Sequence, residues 1–539
     1  MIMRFFRNIS IFVILLLGTS VLRAAGIADV HKLCDRGQRV AIRTSLVVEG
    51  VVISDWRSPN AEQNPQLGYN LVDLTVNQRT VYVQSPDGSY GLRLVFNTEL
   101  DNRLERYSKV RLELSGTVLS CGTEAAGYTV EGMTAHNVLS VRRGTASDLV
   151  RKEKFISELT EQDLYTFVTL KEASAAFREG AWTNVWEPFC QSLPEIQGDK
   201  YKANGFMDGS ASLLRDSQGS TIYMLVNTLC PWRRTGKKLP QGDGPVSGVI
   251  VNTRMLRYGN DMGAFSIRPV DESDLQIDGK PVWKCLTGWY LDGSAGESLE
   301  FELMGVQSGM RKNGRTNDRV INDVGHSQGF FWTDSNSAIH IRDDYNSLSA
   351  EDKGVVKNGA LMFRGKTSEW FEWAEDGKVL SSKGFYVEFS PKKAKKAAMM
   401  QFNFEWCAGN FNRANANFPV LWGVECSIDG GAWQVLKETA TGNDVILITA
   451  LPWDEKEIGK KKYNTGYDCG MGPQQRSFAL PQEALTAGTV VIRIAPVSTC
   501  ISRFCKYPYN SYYAEDCVIA KGGGGTTVIN FSNVSIDYR

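Results

Sequence analysis

The chain has 539 residues, and its 60 Lys and Arg side chains balance 60 Asp and Glu side chains. This balance argues against a general nucleic-acid-binding protein, because phosphate contacts need a basic face. The length predicts two to four domains.

The first 25 residues have the pattern of a secretory signal peptide. Arg4 and Arg7 supply a positive start, residues 9–17 are almost wholly apolar, and small residues close the segment at Ala24 and Ala25. The apolar run is shorter than the roughly 20 residues that cross a bilayer. We therefore expect an exported protein in the periplasm, on the outer surface or outside the cell, with no transmembrane span once the signal is removed.

Short stretches of alternating apolar and polar residues dominate the rest of the chain and are bounded by glycine-bearing or polar turns. This pattern is typical of sandwiches and barrels and predicts an all-β protein. The clearest such stretches are residues 47–54, 80–84, 91–96, 109–114, 385–389, 489–494 and 528–536.

A strand–turn–strand pattern occurs twice in the first half of the chain. Gly88 and Gly116 in the first copy have nearly the same spacing as Gly219 and Gly248 in the second. Two small β-units built alike are therefore expected. In the first unit, Gly50 interrupts a strand and suggests the bulge that lets a small sheet curl into a five-stranded OB-like barrel.

The whole chain is predicted to be two OB-like β-barrels followed by a jelly-roll-like β-sandwich. The expected boundaries are a signal peptide at 1–25, barrels at 26–148 and 149–278, a linker at 279–298 and the sandwich at 299–539.

The order of five short strings carries a family resemblance: EGVVISD (49–55), DGSYGLRLVF (87–96), LSGTV (114–118), GPVSGVI (244–250) and FSIRPVDESDL (265–275). Together they resemble a domain of unknown function in exported Bacteroidetes proteins, spanning about residues 27–278. The resemblance implies a pair of OB-like folds.

The C-terminal part resembles the jelly-roll or galactose-binding-like sandwiches of secreted bacterial proteins. Residues 422–430 fit a W-x-V-E-x-S-x-D-G hairpin, and residues 531–536 fit a final F-x-N-V-x-I strand. Asp429 and Gly430 form the predicted tight turn. The resemblance implies contact with carbohydrate or another surface.

Thirteen tryptophans suit sugar binding, because a flat indole can stack on the apolar face of a sugar ring. Trp370, Trp373 and Trp453 lie in loop-like sequence and are the predicted ligand contacts. The tryptophans that fit strands are expected in the core: Trp406, Trp422 and Trp433. In the barrels, Trp56, Tyr82 and Tyr90 are candidates for lining a ligand face.

These features favour an exported, non-enzymatic cell-envelope binding protein whose partner is a glycan or a protein. No catalytic residue is assigned. A glycosidase-like hydrolase with paired carboxylates is the first alternative. Its candidates are Asp343, Asp344, Glu369, Glu372, Glu388, Glu405 and Glu425, of which the last three are expected to face outward from strands. A structural component of envelope assembly is the second alternative.

No cofactor or metal is expected from the sequence, with one alternative kept open. Oxygen-bearing side chains in a polar loop before His326 could hold Ca²⁺, which takes six to eight such ligands. They are Asn313, Asn317, Asp318, Asn322 and Asp323.

Cysteine use is compatible with export but does not define the pairing. The count of eleven is odd, so at least one thiol lies outside any intramolecular pairs. Cys500 and Cys505 are close in sequence and are expected to form a local disulfide rather than a zinc site, since residues 480–539 contain no histidine.

Overall fold

The computed structural model is all-β, which confirms the predicted fold class. It describes residues 25–57, 60, 71–72, 74–177, 206–207, 211–226, 242–254, 258, 261–290, 302–304, 319–322, 329–335, 338–343, 359–410, 419, 421–447, 455–458, 461–464, 474–504, 511–523 and 526–539. The predicted signal peptide lies outside these ranges apart from Ala25. Within them, no helix combines the length and the apolar character needed to cross a membrane.

Helices are short and lie at the ends of strands. The α-helices in the described part of the chain are α1 (Ile27–His31) and α2 (Leu74–Arg79). Single turns of 3₁₀-helix occur at Ala135–Asn137, Ala146–Asp148, Ile156–Glu158, Glu161–Asp163, Glu272–Asp274, Thr367–Trp370, Lys392–Ala394 and Gln482–Thr486.

The first unit is a closed barrel. Its strands are β1 (Arg39–Ala41), β2 (Val47–Val52), β3 (Leu71–Val72), β4 (Thr80–Gln84), β5 (Gly91–Phe96), β6 (Lys109–Glu113), β7 (Val118–Cys121), β8 (Tyr128–Met133) and β9 (Val138–Arg142). The pairs β2–β4, β4–β5 and β2–β6 are antiparallel, β5–β8 is parallel, and β7–β8 is antiparallel. Because β6 runs on into β7 through a bend, the ring is complete.

The second unit has the same cyclic order. Its strands are β10 (Lys152–Lys154), β11 (Phe167–Ala175), β12 (Phe206–Met207), β13 (Ser212–Arg215), β14 (Thr221–Met224), β15 (Gly244–Val251) and β16 (Ser266–Arg268). The ring runs β11–β13–β14–β16–β15 and back to β11, and its parallel pair is β14–β16. Strand β12 pairs instead with β3 of the first unit.

The glycines of the sequence repeat share a positive φ in one place only. Gly88 and Gly219 both take positive φ, +71° and +86°, in the matching β4–β5 and β13–β14 turns. Gly116 also takes positive φ, at +83°, in the bend between β6 and β7. Gly248 instead lies inside β15, where a Cβ would come within 2.6 Å of the Arg268 carbonyl oxygen. Gly248 nevertheless lies where β15 passes from pairing with β11 to pairing with β16, just as Gly116 lies where the chain passes from pairing with β2 to pairing with β8. The second half of the repeat is therefore equivalent in topology, although the local backbone differs.

The two barrels pack against each other. Val51, Tyr82, Phe167 and Val249 belong to one buried apolar cluster contributed by both units. The Arg106 side chain of the first unit is 5% exposed and donates across the contact to two carboxylates of the second unit, those of Asp271 and Asp274 at the 3₁₀ turn Glu272–Asp274. A buried Arg held by two carboxylates fixes the relative orientation of the barrels.

The third unit is a sandwich of two sheets. Its strands are β17 (Lys284–Tyr290), β18 (Glu302–Met304), β19 (Arg319–Asn322), β20 (Gly329–Thr333), β21 (Ala338–Asp343), β22 (Gly359–Lys366), β23 (Phe371–Trp373), β24 (Val379–Ser382), β25 (Phe385–Phe389), β26 (Met400–Asn410), β27 (Leu421–Ile428), β28 (Gln434–Val435), β29 (Val445–Leu447), β30 (Glu455–Ile458), β31 (Lys461–Asn464), β32 (Gln474–Ala479), β33 (Val490–Pro496), β34 (Cys500–Phe504), β35 (Ser511–Val518) and β36 (Thr526–Tyr538).

One sheet has the order β21-β22-β36-β26-β32, with β17 also on β36, and the other has the order β18-β19-β20-β25-β33-β27-β28. We refer to them as the β36 sheet and the β25 sheet. The core between them is rich in aromatic residues, including Trp289, Trp406, Trp422 and Phe531. Strand β17 falls within the predicted linker 279–298, yet it pairs along the C-terminal half of β36. Residues 284–290 are therefore part of the sandwich and not of a linker.

Candidate functional site

The structure describes two of the three predicted ligand contacts and places them in different surroundings. Trp370 is 0% exposed, and its ring centroid lies 5.0 Å from that of Phe385 and 5.5 Å from that of Trp422. It therefore presents no face to a ligand, because the 3₁₀ turn Thr367–Trp370 directs it into the core. Trp373 is half-buried, and its Nε1 donates to the Ser368 carbonyl at 2.8 Å. Trp453 lies outside the described residues.

The candidate aromatic residues in the barrels also contact other side chains of the protein. Tyr82 is 2% exposed and belongs to the cluster between the barrels. Tyr90 packs its ring edge-on against His31, and the Arg103 guanidinium lies 5.0 Å from the Trp56 ring centroid. The expectation that Tyr82 lines a ligand face therefore fails, since its ring is used to join two units.

A different group of aromatic side chains lies on the outer face of the β25 sheet. Cross-strand register places Trp332 of β20 opposite Tyr386 of β25, Tyr386 opposite Arg493 of β33, and Arg493 opposite Glu425 of β27. Glu425 is in turn opposite Val435 of β28. Their chain neighbours Phe331, Phe385, Val387, Ile492 and Val424 are all buried in the core. Alternation along each strand therefore directs this row away from the core.

Trp433 completes the group from the hairpin between β27 and β28. The predicted tight turn is present, with φ of 50° at Asp429 and 74° at Gly430. The Asp429 carboxylate anchors it by accepting from the backbone N–H groups of Gly488 and Thr489, at 2.8 and 2.9 Å. Trp433 follows the turn and is 42% exposed. The expectation that Trp433 lies in the core is wrong, because the hairpin carries it beyond the sheet.

These side chains, which we call the aromatic face, are Trp332, Tyr386, Trp433, Glu425 and Arg493. The Trp332 and Tyr386 rings are stacked, with centroids 5.2 Å apart and planes 12° apart. The Tyr386 and Trp433 centroids are 6.4 Å apart, and the Arg493 guanidinium lies 6.0 Å from the Trp433 centroid. The rings and the cation thus form one connected surface.

Polar groups hold the aromatic face in place. Asp334 accepts from the Tyr386 hydroxyl at 3.0 Å and from the Gly384 N–H at 2.7 Å. Burial of the phenol, together with the nearby Asp334 charge, raises the pKa of Tyr386 to about 12. Arg493 donates to the Ser382 carbonyl at 2.6 Å and lies 3.6 Å from the Glu425 carboxylate. Tyr386 is therefore a neutral hydroxyl at physiological pH, and its orientation is set by a carboxylate.

The candidate carboxylates of the hydrolase alternative whose side chains the structure describes lie on different strands and turns. Glu369 accepts from the Lys366 N–H at a 3₁₀ turn, and Glu372 accepts from the Ser381 hydroxyl. Glu388 and Glu425 are partly exposed on the β25 sheet, as expected. Glu405 faces away from the sandwich core, as predicted, but is 2% exposed, because the second barrel covers that side of the β36 sheet. Asp343 ends β21, and Asp344 lies outside the described residues, as does the polar loop proposed for calcium apart from Asn322.

The covered side of the β36 sheet forms the second concentration of polar side chains. Arg215 of the second barrel pairs with Asp537 at 2.6 Å, with exposed fractions of 2% and 0%. Arg476 of β32 lies 2.9 and 3.0 Å from the two carboxylate oxygens of Glu438, which also accepts from the Tyr223 hydroxyl at 3.1 Å. Each of these charges has a fixed partner, which indicates a junction between units rather than an open site.

Comparisons with known proteins leave the family undefined. No family model and no curated protein matches the chain. Among solved structures, the carbohydrate-binding module CBM27-1 of Caldicellulosiruptor saccharolyticus, solved with mannohexaose, is 11% identical, covering 47% of this chain and 97% of its own, with a TM-score of 0.20.

Two further solved structures match at similar levels. The mannan-recognising module TmCBM27 is 10% identical, covering 39% of this chain and 88% of its own at a TM-score of 0.18. The K1 cleaved adhesin domain of Lys-gingipain from Porphyromonas gingivalis W83 is 14% identical, covering 39% of this chain and 97% of its own at 0.16. At these low TM-scores, the similarities do not support any conclusion about the function of this chain.

Proposed function

We propose that the protein binds a glycan on the aromatic face. The observation that carries this proposal is the exposed Trp433, held beside the Tyr386 ring and the Arg493 guanidinium. An indole ring offers a sugar a flat apolar surface, while Glu425 and Arg493 offer its hydroxyls an acceptor and a donor.

The dimensions of the face favour an oligosaccharide over a single sugar. The row from Trp332 to Val435 crosses five neighbouring strands, which are about 4.8 Å apart, so it extends roughly 19 Å across the sheet. A ligand lying across the strands would meet aromatic rings at one end and the Arg493–Glu425 pair further along.

Affinity electrophoresis in gels containing soluble polysaccharides tests the proposal, with a glycan array to select the ligand. Trp433→Ala is expected to weaken binding by about fivefold or more, because one stacking contact is lost. Leu139→Ala is the matched control, since Leu139 is 52% exposed but lies on the first barrel. Unchanged binding by Trp433→Ala would reject the aromatic face as the glycan site. If the wild-type protein binds none of the glycans tested, a protein partner replaces the glycan in the proposal.

Trp373 and Trp453 remain proposed as additional contacts. Trp373→Ala in the same gels is expected to have a smaller effect than Trp433→Ala, because the Trp373 Nε1 already has a backbone partner. An effect larger than that of Trp433→Ala would move the site to the β23–β24 hairpin.

We further propose that the chain is an exported envelope protein and that both barrels are OB-like. Export is supported by the signal-like residues 1–25. The OB-like assignment is supported by five strands in a closed ring whose third and fifth members are parallel, in both units. N-terminal sequencing of the mature protein tests export, and an intact Met1 on the mature chain would contradict it.

A further inference from the structure

Two buried thiols lie at the same end of the first barrel. Cys34 follows α1 and is 2% exposed, and Cys121 ends β7 and is 4% exposed. Both are thiols in the structure, and both belong to the apolar core of this barrel.

The backbone brings the two cysteines together. The Gln38 carbonyl oxygen accepts from the Cys34 Sγ at 3.2 Å and from the Cys121 N–H at 3.1 Å. The Cys34 Sγ also lies 3.8 Å from the carbonyl oxygen of Leu119, two residues before Cys121 on β7. The Gly37 N–H donates to the Cys121 carbonyl at 3.1 Å, which holds the 34–38 turn against the end of the strand.

We propose that oxidation joins Cys34 to Cys121 in a disulfide that ties the N-terminal helix to β7. The oxidant is a low-molecular-weight disulfide such as oxidised glutathione. One thiolate attacks it and forms a mixed disulfide with release of one glutathione thiol. The second cysteine thiolate then displaces the other glutathione. Two S–H protons are lost, one S–S bond forms, and two electrons reduce the glutathione disulfide.

The surroundings of the pair indicate when the bond forms. Burial raises the pKa of the Cys34 thiol, although the Cys121 N–H opposes this effect. The His31 and Tyr128 rings stack beside the pair with centroids 3.8 Å apart, and Tyr128 also interacts with the Cys121 side chain. A buried thiol with a raised pKa reacts slowly. The bond is therefore expected to form before the barrel closes, during folding in an oxidising compartment.

Peptide mapping under non-reducing conditions tests the proposal on the full chain. The protein is reduced in denaturant, refolded with reduced and oxidised glutathione, and treated with an alkylating agent in denaturant before digestion. The expected result is a peptide pair containing Cys34 and Cys121, two mass units lighter than the sum of the free peptides. Recovery of both cysteines as alkylated thiols, or joined only to other cysteines, would overturn the proposal.

A stability measurement separates this bond from any other among the eleven cysteines. Reducing agent is expected to lower the Tm of the oxidatively refolded wild type and, to a smaller extent, that of the Cys34→Ala, Cys121→Ala double variant. The decrease in the wild type should exceed the decrease in the double variant by at least about 5 °C. Equal shifts would contradict the proposal. The peptide map requires no variant, so it remains decisive if the double variant does not fold.

Discussion

Replacing Glu438 with glutamine tests the junction between the second barrel and the sandwich. Glu438 and Arg476 are each 2% exposed, and both carboxylate oxygens lie within 3.0 Å of Arg476 Nη1. Glu438 also accepts from the Tyr223 hydroxyl at 3.1 Å and from the Thr441 hydroxyl at 2.8 Å. One carboxylate thus joins β32, the second barrel and its own loop.

The expected loss follows from the charge that remains. Burial acts to lower the pKa of Arg476, but the Glu438 charge and other neighbours raise it overall, and a guanidinium does not release its proton in any case. Removing one partner of a buried ion pair costs about 3–5 kcal/mol. The introduced glutamine side chain would still offer an amide oxygen, and Gln474 Oε1 still accepts from Arg476 at 2.8 Å. We therefore expect a loss in the free energy of unfolding near the lower end, about 3 kcal/mol.

Urea unfolding followed by tryptophan fluorescence measures this loss. Asp376→Asn is the matched control, because it removes a carboxylate from the exposed Lys378–Asp376 pair, whose side chains are 81% and 53% exposed. The control should leave the unfolding midpoint unchanged, since solvent screens such pairs. A Glu438→Gln protein that unfolds within about 0.5 kcal/mol of wild type would refute the reasoning, because a buried charge would then have lost its partner without consequence.

Three further substitutions have defined outcomes. Burial lowers the pKa of His31 to about 4, so the native state favours the neutral ring. The stability that this ring contributes is fully present above pH 6.5, and up to about 3 kcal/mol of it is lost as the pH falls towards 4. A series of Tm measurements against pH should show this loss in the wild type but not in His31→Gln. Gly91→Ala would place a Cβ 2.0 Å from the Tyr165 carbonyl oxygen, so it should separate the barrels and lower the Tm, and an unchanged Tm would contradict the described contact. Ultraviolet difference titration, with Tyr386→Phe as the reference that isolates the Tyr386 signal, measures the pKa of this phenol. Asp334→Asn should lower that pKa only in part, because burial is the main cause of the raised value. An unchanged pKa would contradict the role of the Asp334 carboxylate.

The strands themselves were readable from the sequence because their pattern is local. The predicted stretches 80–84, 91–96 and 385–389 coincide with β4, β5 and β25. A period of two is set by the pleat, so a few neighbouring residues suffice to show it. The closed strand order of the barrels depends on pairings between distant residues. In the sequence, only the repeated turns at Gly88 and Gly219 indicated this order.

The candidate site was harder to predict because exposure depends on what covers each sheet. Trp370 stands in loop-like sequence yet enters the core, whereas Trp433 follows a strand yet lies beyond it. Glu405 alternates with the buried Phe404 and Trp406, so its direction away from the core was evident. Periodicity could not show that a second unit packs onto that side of the sheet and buries it.

The two outer faces of the sandwich therefore differ in what covers them. The β36 sheet carries buried, paired charges such as Asp537 and meets the second barrel. The β25 sheet carries Trp433 in contact with solvent. If this division is correct, Trp433→Ala should weaken glycan binding and leave the urea midpoint unchanged, while Glu438→Gln should lower the midpoint and leave affinity unchanged below the unfolding range. A variant that altered both quantities would show that the faces are coupled through the core, because no described contact joins Trp433 directly to Glu438.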